Sequence, residues 1–366
     1  MRVLIVFSSS GLGGAERSLT RMAIADRDNP EIEYRLATLD GKGPWSEWAE
    51  GMGVGPLVFG EREEDARHAR YGMRALVSLI RFVRSDGIDI VYAIGLRASF
   101  LLRLCKRSLR GARLVHGVRW NPGSRSRLDR AFRFVERKLD GSIDLYIVNS
   151  GAAQETLAEK CGIDRERIRV IHNGINELPR DLAPLRLRPP HVVTVANMAP
   201  RKGHLEYLEV VAQVVRKVPE AQFYFVGRDD MNGRVQNAIA ARGISENIHC
   251  VGMQRDIGPY LRRARVFALP SLWNEGCPTS ILEAMAFQVP VVAHAIDGIP
   301  ELIEDGVSGI LVPLNDRERM EAGILRLLDG CGYAESMGTE GRKRVEAEFR
   351  MERCAARHFS AFREIV

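Results

Sequence analysis

The sequence predicts an α/β protein of two doubly wound, Rossmann-like domains, and three observations carry that prediction. At 366 residues the chain exceeds what one hydrophobic core ordinarily covers, so two domains are expected. Short apolar, β-rich runs alternate with helical stretches through both halves, which is the pattern of parallel sheets covered on both faces by helices. Between the halves lies "ELPRDLAPLRLRPP", residues 177–190, with four prolines and no helical or strand period. It reads as a linker.

The elements follow in order. In the first half the strand runs are "RVLIVF", "EYRLATL", "IDIVYAI", "ARLVHGV", "DLYIVNS" and "IRVIHNGI"; in the second they are "HVVTVAN", "AQFYFVG", "NIHCVG", "ARVFALPS", "VPVVAHA" and "SGILVP". Each is a continuous apolar run bounded by turn or helix signals, as buried parallel strands require. The expected domains are residues 1–179 and 190–349, with a charged helical tail after about Glu340. Ligands of such sheets bind beyond the carboxyl ends of the strands, so the cleft between the domains is the expected site.

Composition narrows the class. Hydrophobic residues make up 45% and charged residues 27% of the chain, an ordinary balance for a soluble globular protein, and no segment approaches the roughly 18 apolar residues of a membrane span. The cysteines at 105, 161, 250, 277, 331 and 354 form no close pairs. Neither a disulfide scaffold nor a zinc site is expected, and a reducing compartment is. The opening "MRVLIVFSSSG" is apolar only from Val3 to Phe7, which is a buried strand and not a signal peptide. A cytoplasmic location follows, with peripheral contact at the inner membrane face left open.

Net charge is +6, but residues 97–138 carry 13 Lys/Arg against two acids, Asp129 and Glu136. Such a block draws an anionic membrane surface or phosphate-bearing lipid substrates, or else it is a set of solvated helix faces. Nucleic acid is not the expected partner, because the block shows neither a binding motif nor interleaved aromatics for base stacking.

Four post-strand loops carry chemistry. In "SSSGLGGAERSL", Gly13 and Gly14 precede a helix, where backbone N–H groups approach a phosphate or sugar. A dinucleotide fingerprint would need a third glycine where Glu16 stands, although Asp40 at the end of the second strand leaves a dehydrogenase reading open. In "ARLVHGVRW", His116 and Arg119 follow a strand, and His116 is the candidate for a reacting hydroxyl. In "MAPRKGHLEYL", Arg201 and Lys202 stand at a helix start, where cations oppose the helix dipole unless an anion binds between.

The fourth loop is "SLWNEGCPTSILEAMA". Pro278 reads as the first helical residue with Cys277 as cap, and the N–H groups of Thr279 and Ser280 then face an anion or sugar hydroxyl. Eight residues of helix between Glu275 and Glu283 would span roughly 12 Å. That spacing does not suit two carboxylates flanking one bond. It suits two grips on one elongated ligand.

Together "GGAERSL", "VIHNGI", "PRKGH" and "EGCPTSILEAMA…PVVA…GIPELIEDGVSGILV" resemble the retaining glycosyltransferases of family 4, which have the GT-B fold. Glu275 and Glu283 match the family's E-x7-E pair. The resemblance implies transfer of a sugar from a nucleotide-sugar donor to a glycan or lipid-linked glycan acceptor, with retention, without cofactor or metal. It implies that Glu275, with Gly276, contacts the donor sugar and that Glu283 holds the ribose. Lys202 and Arg201 then neutralise the diphosphate, Gly13 and Gly14 close over the donor phosphates, and His116 lies near the sugar. The catalytic set so implied is His116, Glu275 and Lys202, with Thr279 and Ser280 at the donor. The C-terminal domain would bind the nucleotide, the N-terminal domain the acceptor, and the last helix, about 350–366, would cross back onto the first domain. Surface polysaccharide or glycolipid assembly is the implied setting.

The chain departs from the family at Asn197, where an arginine is common, at Gln288, where glycine is usual, and at Arg265, where an aspartate is common. Two other readings stand beside the transferase: a nucleotide-sugar epimerase or hydrolase on the same frame, and a non-catalytic nucleotide-sugar-binding protein.

Overall fold

The computed structural model describes residues 1–60, 69–124, 126–176, 178–329 and 332–366. Arg125, Glu177 and Cys331 lie outside the described residues. The chain forms two compact units, the first Met1–Asn176 with Met351–Val366, the second Glu177–Arg350.

Unit 1 holds a parallel sheet of β1 (Arg2–Phe7), β2 (Glu33–Thr38), β3 (Leu57–Val58), β4 (Ile90–Ile94), β5 (Arg113–Val118), β6 (Leu145–Val148) and β7 (Ile168–Val170). Their order is β3-β2-β1-β4-β5-β6-β7. Successive side chains of a strand face opposite layers, and the core divides accordingly. Leu4, Val6, Val91, Ala93, Leu114 and Val118 lie in one cluster, and Val3, Ile5, Phe7, Tyr92, Ile94 and Val115 in the other. Each fully buried aliphatic side chain stabilises by roughly 1.5–3 kcal/mol. The sequence reading omits β3, whose two residues are too few to form a run.

The helix Met351–Arg363 belongs to this unit. Its Met351, Cys354, Ala355 and Phe362 pack into the second cluster, and the Met351 N–H donates to the Ile175 carbonyl at 3.0 Å.

Unit 2 holds β8 (His191–Val195), β9 (Gln222–Val226), β10 (Ile248–Gly252), β11 (Ala264–Leu269), β12 (Val291–His294) and β13 (Gly309–Val312), ordered β10-β9-β8-β11-β12-β13 and parallel throughout. Both sheets have the doubly wound order in which the chain steps outward, returns and continues from the other side.

The segment expected as a linker is fastened to unit 2. Leu185 joins the unit 2 core. Arg188 is 3% exposed, and its guanidinium donates to the carbonyls of Ala183 at 3.0 Å, Ala264 at 3.1 Å and Phe287 at 3.2 Å. Burial pushes its pKa down to about 10. Arg265, one of the departures noted above, donates to the Leu328 carbonyl at 2.7 Å and to the carbonyl of Arg188. These arginines bind backbone, so the prolines of 179–190 mark a tethered strap.

Candidate functional site

Each strand order reverses direction once, between β1 and β4 in unit 1 and between β8 and β11 in unit 2. Loops leaving such neighbours diverge and open a crevice beyond the carboxyl edge. In unit 2 these are the loops that hold Arg201 and Lys202 on one side and Glu275 on the other.

The two loops are pressed together. Gly203, at φ +70°, caps the turn Pro200–Lys202, and a Cβ there would lie 2.1 Å from the Pro270 carbonyl oxygen. Glycine is required on both counts. The Leu272 N–H donates to the Arg201 carbonyl at 2.8 Å. Lys202 Nζ consequently donates to Glu275 Oε1, and Arg201 Nη1 lies 3.8 Å from the same oxygen. Glu275 is 4% exposed. Burial alone would raise its pKa, but Lys202 and Arg201 outweigh it and hold the carboxyl below its ordinary range. For Lys202 burial is the larger effect, and with Arg201 beside it the ammonium falls below its usual pKa despite Glu275. The site is thus two cations gathered on one buried carboxylate.

The backbone around Glu275 is strained. Asn274 and Asp297 adopt φ of +61° and +48°, conformations costly for residues with a Cβ. The Glu275 N–H donates to Asp297 Oδ2 at 3.0 Å, and His294 Nδ1 lies 3.0 Å from the Ser271 carbonyl oxygen. Asp297 was missed in the sequence; its signal was its place in the loop that follows β12.

The helix begins at Thr279 and runs to Ala286, with Pro278 as its N-cap at ψ 111°, one residue later than expected. No side chain caps this start, so half-buried Thr279 and Ser280, with buried Gly276 just before them, leave the first-turn N–H groups to a ligand. Glu283 is half-buried on this helix. The expected 12 Å of helical rise between the two glutamates does not apply, because Glu275–Pro278 is loop and only Thr279 to Glu283 is helical.

In unit 1, Gly13 is the N-cap of the helix Gly14–Ala25, and its N–H donates to Glu16 Oε2 at 3.1 Å. Glu16 therefore closes over the glycine turn, and burial raises its carboxyl pKa. Asp40 is paired with Arg97. Neither residue is arranged as a dinucleotide fingerprint requires.

His116 must be corrected. It lies inside β5, not after it, and has no exposed surface. Its Nδ1 is 3.2 Å from Glu136 Oε1 and 3.0 Å from Arg103 Nη2, and Arg103 and Glu136 pair at 2.5 Å, all three fully buried. Burial lowers the histidine's pKa against the pull of Glu136. The ring is core and cannot touch a substrate there. Strand parity puts Arg119 on the opposite face from His116, just past the carboxyl end of β5. Its Nη2 donates to Asn173 Oδ1, which Ser18 Oγ also approaches at 2.9 Å.

Comparison with known proteins now bears on this geometry. Residues 12–177 match the family described as Glycosyltransferase Family 4, and residues 189–330 match that described as Glycosyl transferases group 1. Each unit thus matches a glycosyltransferase family model. Over 200 residues the chain is 32% identical to the amylovoran biosynthesis glycosyltransferase AmsK of Erwinia amylovora, covering 51% of this chain and 48% of that protein. Over 275 residues it is 25% identical to the UDP-Gal:alpha-D-GlcNAc-diphosphoundecaprenol alpha-1,3-galactosyltransferase of Escherichia coli, covering 70% of each. The chain spans about half the length of most of the curated relatives it matches. Among solved structures, Anabaena HepE in complex with UDP and glucose superposes with a TM-score of 0.84 at 20% identity, covering 100% of both chains. The fold is GT-B.

Proposed function

We propose that the protein transfers a sugar from a nucleotide-sugar donor to a glycan or lipid-linked glycan acceptor, with retention of anomeric configuration, in bacterial surface polysaccharide or glycolipid assembly. The carrying observation is the convergence of Lys202 and Arg201 on Glu275, beside an uncapped helix start, at the switch point of the unit 2 sheet.

In this reading the donor diphosphate takes the Lys202 ammonium and the N–H groups of Thr279 and Ser280. Glu275 faces the donor sugar, and Glu283 holds the ribose hydroxyls. The bond from the anomeric carbon to the diphosphate oxygen breaks, and negative charge gathers on the leaving group, where fixed cations and helix N–H groups stabilise the transition state most. The acceptor oxygen bonds the anomeric carbon from the same face, and its proton passes to the departing phosphate oxygen. No metal is required in this scheme.

Unit 1 supports an acceptor held at an anionic membrane surface. Asp129 and Glu136, the only acids of residues 97–138, are both fully buried, so the surface of that block is cationic. Phe100, Leu104, Leu128 and Phe134 are exposed on its helices Leu96–Leu104 and Arg127–Leu139, among Arg107, Arg110, Arg130 and Lys138. Apolar side chains among cations suit a bilayer interface. No described helix is long and apolar enough to cross a membrane.

The test is a donor screen. UDP-, GDP- and ADP-sugars are each offered with a diphosphoundecaprenol-linked GlcNAc acceptor, chosen because the Escherichia coli relative's name specifies one, and products are read by mass spectrometry. A glycosylated lipid with the donor's anomeric configuration is expected. Free sugar or an epimer as the only product, or donor binding without turnover on any acceptor, would overturn the reading. Flotation with anionic vesicles at low salt checks the membrane part; protein left in the unbound fraction would remove it.

A further inference from the structure

Charge at the donor site does not balance. Arg201 and Lys202 face Glu275, so one carboxylate already offsets one of the two cations. An incoming diphosphate brings a negative charge on each phosphate, and one further cation within reach would complete the match. Asn197, two residues past the end of β8, supplies none.

The loop after the adjacent strand carries a cation, Arg228. β8 and β9 pair in register with Val195 opposite Val226, so Asn197 and Arg228 each lie two residues beyond a paired position. Parallel neighbours are about 4.8 Å apart, and the backbones touch here, since a Cβ on Gly227 would lie 2.1 Å from the Ala196 carbonyl oxygen. The Arg228 N–H donates to Asn197 Oδ1 at 3.1 Å, and the Met198 N–H donates to the Arg228 carbonyl at 2.8 Å. The Arg228 backbone is thereby fixed against the loop that leads to Lys202.

Its side chain is fixed much less. The guanidinium of Arg228 holds Asp230 through Nε at 2.5 Å and Nη2 at 3.2 Å, with about half of the arginine side chain exposed. An exposed pair of this kind contributes little and exchanges readily for a better anion. The neighbouring acid, Asp229, is committed elsewhere, accepting from the N–H groups of Met231 and Gly233 at 2.8 and 2.7 Å.

We propose that Arg228 leaves Asp230 on donor binding and contacts the diphosphate, supplying the charge that Asn197 lacks. The proposal rests on the reading of Lys202 and Glu275 as a donor site. In its absence Arg228 is parked on Asp230, which tunes donor affinity by competing for it.

Calorimetry with UDP, GDP and ADP, each alongside its parent nucleoside, tests this. For whichever diphosphate the wild type binds, Arg228→Ala should weaken binding roughly tenfold and leave nucleoside binding unchanged. Asp230→Ala should tighten it, and Asn197→Arg in the Arg228→Ala background should restore most of the loss from the adjacent strand. Wild-type affinity in Arg228→Ala while Lys202→Ala loses binding would overturn the role of Arg228 and leave the site standing. Equal losses for diphosphate and nucleoside would place Arg228 on the base and overturn the proposal. A wild type that binds none of the three diphosphates would overturn the donor site, and this inference with it.

Discussion

The carbonyl of Gln288 lies against the backbone of Gly338: a Cβ on Gly338 would sit 2.3 Å from that oxygen. Gln288 itself adopts φ +56°, directly after the helix Thr279–Ala286 and its C-cap Phe287. That is the left-handed position at which helices ordinarily place glycine. Gln288→Gly should therefore stabilise the protein by roughly 0.5–1 kcal/mol. Gly338→Ala should destabilise by about 1–3 kcal/mol through overpacking. Urea midpoints of the two variants check both signs.

Glu275 and Glu283 should separate kinetically. Glu275→Ala leaves Lys202 buried without its carboxylate, costing about 3 kcal/mol of stability and lowering turnover on the order of a hundredfold. Glu283→Ala should chiefly weaken nucleotide binding. Titration of nucleoside diphosphate with steady-state kinetics distinguishes them, and unchanged affinity and rate in both variants would end the assignment.

His116→Ala should behave as a core mutation. Loss of the ring from between Phe132 and Tyr146, with Arg103 and Glu136 left paired, should cost about 2–4 kcal/mol. The rate per folded molecule should be unchanged. A large fall in kcat with undisturbed folding would restore His116 to the site.

Stability should fall in mild acid. Burial lowers His204 to about 4 and His358 to about 3, and both are almost completely buried. Below the unfolded histidine pKa of about 6.5 the unfolded chain binds protons that the folded chain refuses, so unfolding free energy declines as pH drops. Each contributes fully above about pH 6.5 and loses up to about 1.4 kcal/mol per pH unit, down to its own folded pKa. Denaturant curves between pH 7 and pH 4 should show this, and His204→Leu should flatten the slope.

Chelation should leave transfer intact. If Lys202 and the helix start carry the leaving-group charge as proposed, excess EDTA should change the initial rate less than twofold. Loss of activity restored by a divalent cation would assign the phosphate charge to metal.

Twelve of the strands were legible because strands buried on both faces read as unbroken apolar runs. β3, two residues long, had no run to read. The convergence of the Lys202 and Glu275 loops was legible in part, because both loops follow strands at the switch point of one sheet. His116 was misplaced because "ARLVHGV" fixes a strand without fixing where its side chains leave the core, and a buried Arg103–Glu136 pair can hold a histidine in the interior. The partnership of Arg228 with Asn197 depends on which strands are neighbours, and no local pattern states that.

The hydrogen bond from Met351 to Ile175 has a topological consequence. The chain leaves unit 1 after Asn176 and re-enters it at Met351, and these points are adjacent within one unit. Unit 2 is therefore an insertion whose two ends meet, and unit 1 is one continuous fold interrupted at a single spot. Joining Asn176 to Met351 by a few glycines closes only a short loop, whose entropic cost is small, so excision of unit 2 should leave a protein that folds by itself.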